Sequence, residues 1–116
     1  MILGNGIDII EIERIQKAID RWGNHFLHHV FLDEEIAYAQ ENKFPVQHYA
    51  ARFAAKEAIF KAFGNKPDIR WKDIKILNDA NGKPYGVIND KHFKDKIYLS
   101  ISHTHAYAVA HAIITQ

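Results

Sequence analysis

The hydrophobic positions repeat every second residue at the two ends of the chain and at helical spacing between them. The first segment, Met1–Ile10, is apolar and carries β-branched isoleucines, which favour a strand. The next segment, Glu11–Trp22, has apolar residues three and four apart and ends before Gly23, which predicts an amphipathic helix. A short helix is then predicted from Asp33, acting as N-cap, to about Asn42.

The segment Pro45–Phe63 predicts a long buried helix. Pro45 suits a first helical turn, and Gly64 suits the position just past a helix end. Alanines and aromatic residues cover every side of this helix at about 100° per residue, and a helix that is apolar all round is buried.

The second half of the chain predicts a loop followed by strands. Gly64–Lys72 is the loop, and Asn81-Gly82 is a strong turn signal between two strands. A second turn is expected at His103-Thr104-His105. The predicted strands are Asp73–Leu77, Tyr85–Ile88, Ile97–Ser102 and Tyr107–Thr115. One strand, then helices, then a run of strands predicts an α+β fold with a largely antiparallel sheet.

Length and composition indicate one ordinary globular domain over residues 1–116. Apolar types make up 47% and charged types 25% of the chain, and there is no cysteine to form a disulfide. No apolar run approaches the roughly 18 residues of a membrane span, and no secretory signal is visible, so we expect a cytoplasmic protein that binds no membrane. The formal net charge of +1 is too balanced to indicate a nucleic-acid partner.

Two carboxylates stand out against their apolar surroundings. Asp8 lies between isoleucines of the first strand, and alternation alone places it on the solvent side, opposite Ile7 and Ile9. Glu57 lies on the buried helix and needs a partner, because an unpaired buried charge is costly. Lys61 at i+4 is one candidate partner. A metal ion is the other, which would leave Arg52, Lys56 and Lys61 to hold an anion.

Two groups of basic residues are candidates for binding. Arg14, Lys17 and Arg21 share one face of the first predicted helix, which is either a solvated face or a docking surface for an acidic partner. His25 and His29 have the i,i+4 spacing of a zinc pair, but no third ligand follows at a recognisable spacing.

Three motifs in one chain of this length carry a specific resemblance. They are Gly6-Ile7-Asp8-Ile9, then Arg52-Phe53-Ala54-Ala55-Lys56-Glu57-Ala58 with Lys61-Ala62, then Ser100-Ile101-Ser102-His103. In this order and spacing the chain resembles the small, acyl-carrier-synthase type of 4'-phosphopantetheinyl transferase, from Met1 almost to the C-terminus. The resemblance implies that family's α+β fold, with a mostly antiparallel sheet packed on the long helix, assembled as a homotrimer with coenzyme A between neighbouring subunits.

The resemblance also implies a reaction and its catalytic residues. A carrier-protein serine attacks the β-phosphorus of coenzyme A, and 3',5'-ADP leaves, in a step that serves fatty acid biosynthesis. By the same resemblance Asp8 and Glu57 bind Mg²⁺, a hard cation that is typically held by one or two carboxylates plus substrate phosphates. Lys61 would stabilise charge on the pyrophosphate. Two acceptors for the serine proton stay open: Glu57 acting through a water, and a water activated by the metal.

The remaining implied contacts are to coenzyme A and to the carrier protein. The residues expected to bind coenzyme A are Arg52, Lys56, Lys61, Gly64, Pro84, Ser102, His103 and Thr104, with Lys66 and the backbone at Asn65 as possible additions. Arginine suits the 3'-phosphate because its fork is bidentate. Acyl carrier proteins are acidic, so the resemblance favours the docking interpretation of Arg14, Lys17 and Arg21.

Two functions of other classes stay open beside this one. The first is a non-enzymatic protein that binds a nucleotide or an acidic partner through the same cations. The second is a histidine metal protein that uses His103 and His105 together with the region of His25–His29.

Overall fold

A three-stranded antiparallel sheet and a two-stranded antiparallel hairpin surround one long helix. The computed structural model describes residues 1–64 and 68–116. The strands are β1 (Ile2–Glu11), β2 (Ile74–Asn78), β3 (Pro84–Ile88), β4 (Lys96–His103) and β5 (Tyr107–Thr115). The helices are α1 (Ile12–Trp22), α2 (Asn24–Val30), α3 (Asp33–Gln40) and α4 (Pro45–Phe63), and a 3₁₀ turn covers Trp71–Asp73. The sheet order is β1-β5-β4, with β2-β3 forming the hairpin.

Small side chains on both partners bring α4 onto the inner face of the sheet. Strand β5 turns Ala108, Ala110 and Ala112 toward the helix, and all three are buried. The helix also packs with small side chains, and its buried alanines are Ala50, Ala54, Ala55, Ala58 and Ala62. The long helix therefore has the predicted bounds, and its burial on nearly every side is confirmed.

Strand β1 turns its faces the opposite way from the prediction. Ile7 and Ile9 are 60% and 64% exposed, whereas Gly6 and Ile10 are buried and Asp8 is half-buried on the same side. Asp8 therefore faces α4 rather than solvent. The predicted alternation has the correct period, but the face predicted to lie in the core is the outward face.

The helix α2 was missed, and the start of α3 was placed one position late. Gly23, at a φ of +53°, ends α1 and begins α2 with no linker between them, so one glycine marks two helix ends. Leu32 is the N-cap of α3, and Asp33 is its first helical residue. A side chain of the helix itself binds the N-cap residue, because Glu35 Oε1 accepts the backbone N–H of Leu32 at 2.8 Å.

The β2–β3 hairpin contains the predicted turn within a longer loop. Pairing ends at Asn78 with Pro84, so the loop covers residues 79–83. Asp79 Oδ1 accepts the backbone N–H groups of Asn81 and Lys83, and Gly82 takes the positive φ of +83° that favours glycine.

None of the described helices has the length and apolar composition to cross a membrane.

Candidate active site

The first cluster of predicted residues forms where β1 crosses α4. Lys61 Nζ donates to Asp8 Oδ1 at 3.2 Å and to the carbonyl oxygen of Ile7 at 2.9 Å. Lys61 therefore bonds to the strand, and not to Glu57 as the i,i+4 spacing suggested. Asp8, which lies far from Glu57 and Lys61 in the sequence, meets both of them at one place.

Asp8 lies close enough to Glu57 to disfavour the charge of the Glu57 carboxylate. Burial raises the pKa of Glu57, the nearby Asp8 carboxylate raises it further, and Lys61 opposes both effects. Two neighbouring carboxylates from separate elements, partly withdrawn from water, form a site whose charge a divalent cation would balance. The oxygen-only donor set suits Mg²⁺ better than zinc.

The described residues contain no cluster of three or more His, Asp or Glu side chains that could hold a metal ion. His25 and His29 therefore have no third ligand among them, and the same holds for His103 with His105. A centre built from several histidines is not formed in residues 1–64 and 68–116. A site with two carboxylates that is completed by substrate phosphates does not need a third protein ligand.

The second cluster lies beside the first half of α4 and contains Arg52, His48 and His103. Arg52 is almost fully buried, and its Nη2 donates to Asn78 Oδ1 at 2.8 Å while its guanidinium lies 4.3 Å from the Tyr38 ring centre. Its Nε is buried with no hydrogen-bond partner. Burial lowers the pKa of His48, and the positive charges of Arg52 and His103 lower it further, which places these three basic residues near one another. The sequence reading missed His48, although a polar residue one turn before Arg52 on a buried helix was a visible signal.

Lys56 does not belong to either cluster. Its side chain is fully buried, and its Nζ donates to Glu35 Oε1 at 2.8 Å and to the carbonyl oxygens of Val30 and Trp71 at 2.8 and 3.1 Å. Glu35 Oε2 also accepts the backbone N–H of Ile76 at 2.9 Å. All three hydrogens of the ammonium are used inside the core, so the expected phosphate contact of Lys56 does not fit this structure. Lys56 joins α2, α3 and the 3₁₀ turn to α4, and its partner Glu35 extends the connection to β2.

The other predicted ligand residues are scattered around these clusters. Gly64 ends α4 at a φ of +72° and is exposed. Pro84 lines a cavity of about 270 Å³ beside β3 and β4. Ser102 is exposed and pairs with Val109 on the outward side of the sheet, whereas Thr104 Oγ1 accepts the N–H groups of the turn that follows. Asn65 and Lys66 lie outside the described residues.

The basic face of α1 is exposed as predicted. Lys17 Nζ lies 3.3 Å from Glu13 Oε1, and both side chains are largely in water. Arg21 lies 4.9 Å from the Trp22 ring, and Arg14 projects into solvent. An exposed i,i+4 pair contributes little to stability. All three basic side chains of this face are exposed, so a partner could reach them.

The chain matches a family model described as the 4'-phosphopantetheinyl transferase superfamily over residues 4–112. It belongs to that superfamily. A holo-[acyl-carrier-protein] synthase of Protochlamydia amoebophila is 49% identical to this member, over 97% of this chain and 98% of that protein. The family resemblance in the sequence is thus confirmed, and this superfamily member is an enzyme.

Solved structures of relatives have the same fold. A holo-(acyl-carrier-protein) synthase from Bacillus anthracis, in complex with CoA (3',5'-ADP), has a TM-score of 0.87 and 36% identity, covering 98% of this chain and 96% of its own. The enzyme from Neisseria meningitidis has a TM-score of 0.89 and 28% identity over the full length of both chains. The predicted transferase fold with antiparallel sheets is therefore confirmed for this superfamily member.

Proposed function

We propose that this protein transfers the 4'-phosphopantetheine group of coenzyme A to a serine of an acyl carrier protein, using Mg²⁺, within a single domain of residues 1–116. The observation that carries the proposal is the meeting of Asp8, Glu57 and Lys61 at the crossing of β1 and α4. The names of the relatives and the coenzyme A in one solved relative support it. We assign the reaction to fatty acid biosynthesis in the cytoplasm.

The reaction exchanges one phosphorus–oxygen bond for another. The serine oxygen forms a bond to the β-phosphorus, the bridging oxygen departs with 3',5'-ADP, and the serine proton passes to a base. Asp8 and Glu57 would hold magnesium, whose charge offsets the negative charge that develops on the phosphate oxygens. Lys61 lies one turn after Glu57 and is half exposed, so its ammonium can reach the diphosphate at the same place.

The nucleotide end of coenzyme A would bind at the second cluster. Arg52, His48 and His103 bring three basic side chains together there, which suits the 3'-phosphate. Arg52 and Glu57 are five positions apart on α4, which separates them by about 140° around the helix and roughly 7.5 Å along it. The two clusters of one subunit therefore face different directions. A coenzyme A that touches both kinds of cluster fits between two subunits.

The outward face of the sheet supplies a surface for the proposed homotrimer. It carries exposed or half-exposed apolar side chains on all three strands, which are Ile7, Ile9, Tyr98, Val109 and Ile113. An exposed apolar face on a short chain is typical of an interface between subunits. Assembly through this face would also cover Ser102, which therefore contributes to coenzyme A binding only if the ligand reaches the edge of that interface.

The decisive experiment incubates the protein with apo-carrier protein, coenzyme A and Mg²⁺ and measures the mass of the carrier. We expect a gain of one 4'-phosphopantetheine group per carrier, and no gain when a chelator removes the metal. Binding of coenzyme A with no change in carrier mass would support the non-enzymatic binding protein instead.

Reversing one charge on α1 tests the carrier interaction. Arg14→Glu should raise the KM for the carrier roughly tenfold and leave the KM for coenzyme A unchanged, because complementary charge guides the encounter. Added salt should lower the rate of the original enzyme much more than that of the variant. The control is Lys94→Glu, an exposed lysine between β3 and β4. A carrier KM that Arg14→Glu does not move would mean that this face is merely solvated.

The lowered pKa of His48 predicts proton uptake when the nucleotide binds. His48 is mainly neutral at pH 7 in the free protein, since burial, Arg52 and His103 all disfavour its charge. A bound phosphate favours the charged form of the His48 imidazole. Binding of the nucleotide should therefore be accompanied by uptake of at most about one proton per site. Titration calorimetry of 3',5'-ADP in buffers of different ionisation enthalpy measures this number. We expect His48→Gln to reduce it and the exposed control His92→Gln to leave it unchanged; equal uptake in all three proteins would exclude His48 from the site.

A further inference from the structure

Two glycines of β1 lie directly against the backbone of α4. A Cβ atom on Gly4 would overlap the carbonyl oxygen of Ala62, and one on Gly6 would overlap the carbonyl oxygen of Ala58. The Cβ on Gly6 would also lie 2.7 Å from the backbone nitrogen of Ala62 and 2.8 Å from Lys61 Cβ. Most of these atoms belong to the helix backbone, so no side-chain rotation could relieve the overlap.

The same face of β1 carries Asp8 two residues further along. Gly4, Gly6 and Asp8 alternate with outward-facing residues, so all three point at α4. Their partners on the helix are Ala58, Lys61 and Ala62, which lie beside Glu57 in the last turns of α4. The approach of strand to helix at the glycines therefore fixes how far the Asp8 carboxylate lies from Glu57 and Lys61.

Other glycines of the chain have no such contact. Gly23, Gly64 and Gly82 have open space where a Cβ would stand, and they are explained by their positive φ angles. A Cβ on Gly86 of β3 would meet side-chain ends and no backbone, and its nearest neighbour would be Ile59 Cδ1 at 3.0 Å. Gly4 and Gly6 are different because their φ angles are ordinary and the helix backbone is their neighbour.

We propose that Gly4 and Gly6 are positioning residues that set the separation of the Asp8 and Glu57 carboxylates to suit a small divalent cation. The proposal rests on the magnesium role of these two carboxylates. Mg²⁺ demands near-ideal octahedral geometry at short distances, whereas larger cations tolerate a wider and more flexible site. A strand displaced from α4 by one methyl group would widen the site and favour the larger ion.

The test measures metal binding directly in the full chain. Mg²⁺ affinity is measured by calorimetry, and Mn²⁺ affinity by loss of the free-ion signal in paramagnetic resonance, both with 3',5'-ADP present. Gly6→Ala should weaken Mg²⁺ binding by about tenfold or more, as changes beside metal ligands commonly do. We expect a smaller loss for Mn²⁺, so that the preference between the two ions shifts. Gly86→Ala is the control and should change neither affinity.

A longer carboxylate separates positioning from general damage to the fold. Asp8→Glu alone should weaken Mg²⁺ binding, but in the Gly6→Ala background the longer side chain should recover part of the lost affinity. Gly4→Ala, further from Asp8 along β1, should give a smaller effect of the same kind and serves in place of Gly6→Ala if that variant does not fold. Unchanged Mg²⁺ affinity in the folded glycine variants would overturn the proposal. Absence of metal binding by the unmodified protein would instead contradict the proposed function.

Discussion

Asp8→Asn should lower the rate of transfer to the carrier protein by about a thousandfold. Loss of several kcal/mol of charge stabilisation at the phosphorus corresponds to roughly three powers of ten in rate. Glu57→Gln should have a similar effect, and the double variant should be little worse than either, because the two carboxylates act as a unit. The measurement is kcat/KM for carrier modification over a range of Mg²⁺ concentrations.

The fold should survive this substitution, because the Asp8 side chain contacts a half-exposed lysine and asparagine has nearly the same shape. In the unmodified protein, Mg²⁺ with 3',5'-ADP should raise the Tm through binding to the native state, and Asp8→Asn should lose that dependence on the metal. Glu41→Gln, an exposed carboxylate at the end of α3, is the matched control. Full magnesium-dependent transfer by Asp8→Asn would remove Asp8 from the proposed metal site.

Lys56→Met should destabilise the protein by about 3–5 kcal/mol. The substitution leaves the Glu35 carboxylate buried without its cation, and an uncompensated buried charge has a cost of this order. Urea unfolding gives the change in the free energy of unfolding. Lys75→Met is the control, because Lys75 pairs with Glu34 at 2.6 Å on the surface, and its loss should be far smaller.

A double-mutant cycle identifies the cause. Glu35→Gln removes the stranded carboxylate, so Lys56→Met with Glu35→Gln should be more stable than the sum of the two single losses predicts. Burial lowers the pKa of Lys56 while Glu35 opposes the shift, which agrees with a paired charge held inside the core. Strictly additive losses would show that the two residues stabilise the protein independently.

Local signals fixed the parts of the fold that were predicted correctly. The helix α4 begins at Pro45 and ends before Gly64, because a proline suits the first turn and a glycine with positive φ suits the end. Strand β5 begins and ends where its β-branched and apolar run does. The apolar spacing of Leu27 and Val30 was also a signal for the helix α2. It did not suffice to predict this helix, because α2 has only seven residues and follows α1 with only Gly23 between them.

The direction in which a charged side chain points was harder to predict. Lys56 and Lys61 both follow Arg52 on a helix that is apolar all round, so the pattern does not mark an outward side. The acceptors that draw Lys56 inward lie on α2, α3 and the 3₁₀ turn, which no local pattern relates to α4. Asp8 was placed on the wrong face because small residues, rather than large ones, fill the narrow gap beneath β1. The pairing of Asp8 with Glu57 came from the family resemblance, not from periodicity.

The two faces of β1 place a double restriction on how this strand can pair with β5. Strands rich in glycine usually specify their register weakly, and a slip by one residue exchanges the two faces. Here such a slip would press Asn5, together with either Leu3 or Ile7, against the helix backbone at the sites of Gly4 and Gly6, where even a methyl group does not fit. It would also carry Asp8 to the outward side, away from Lys61. Misregistered pairing is thus excluded by sterics and would be inactive in any case, so the glycines that weaken β1 as a strand also leave it only one way to dock.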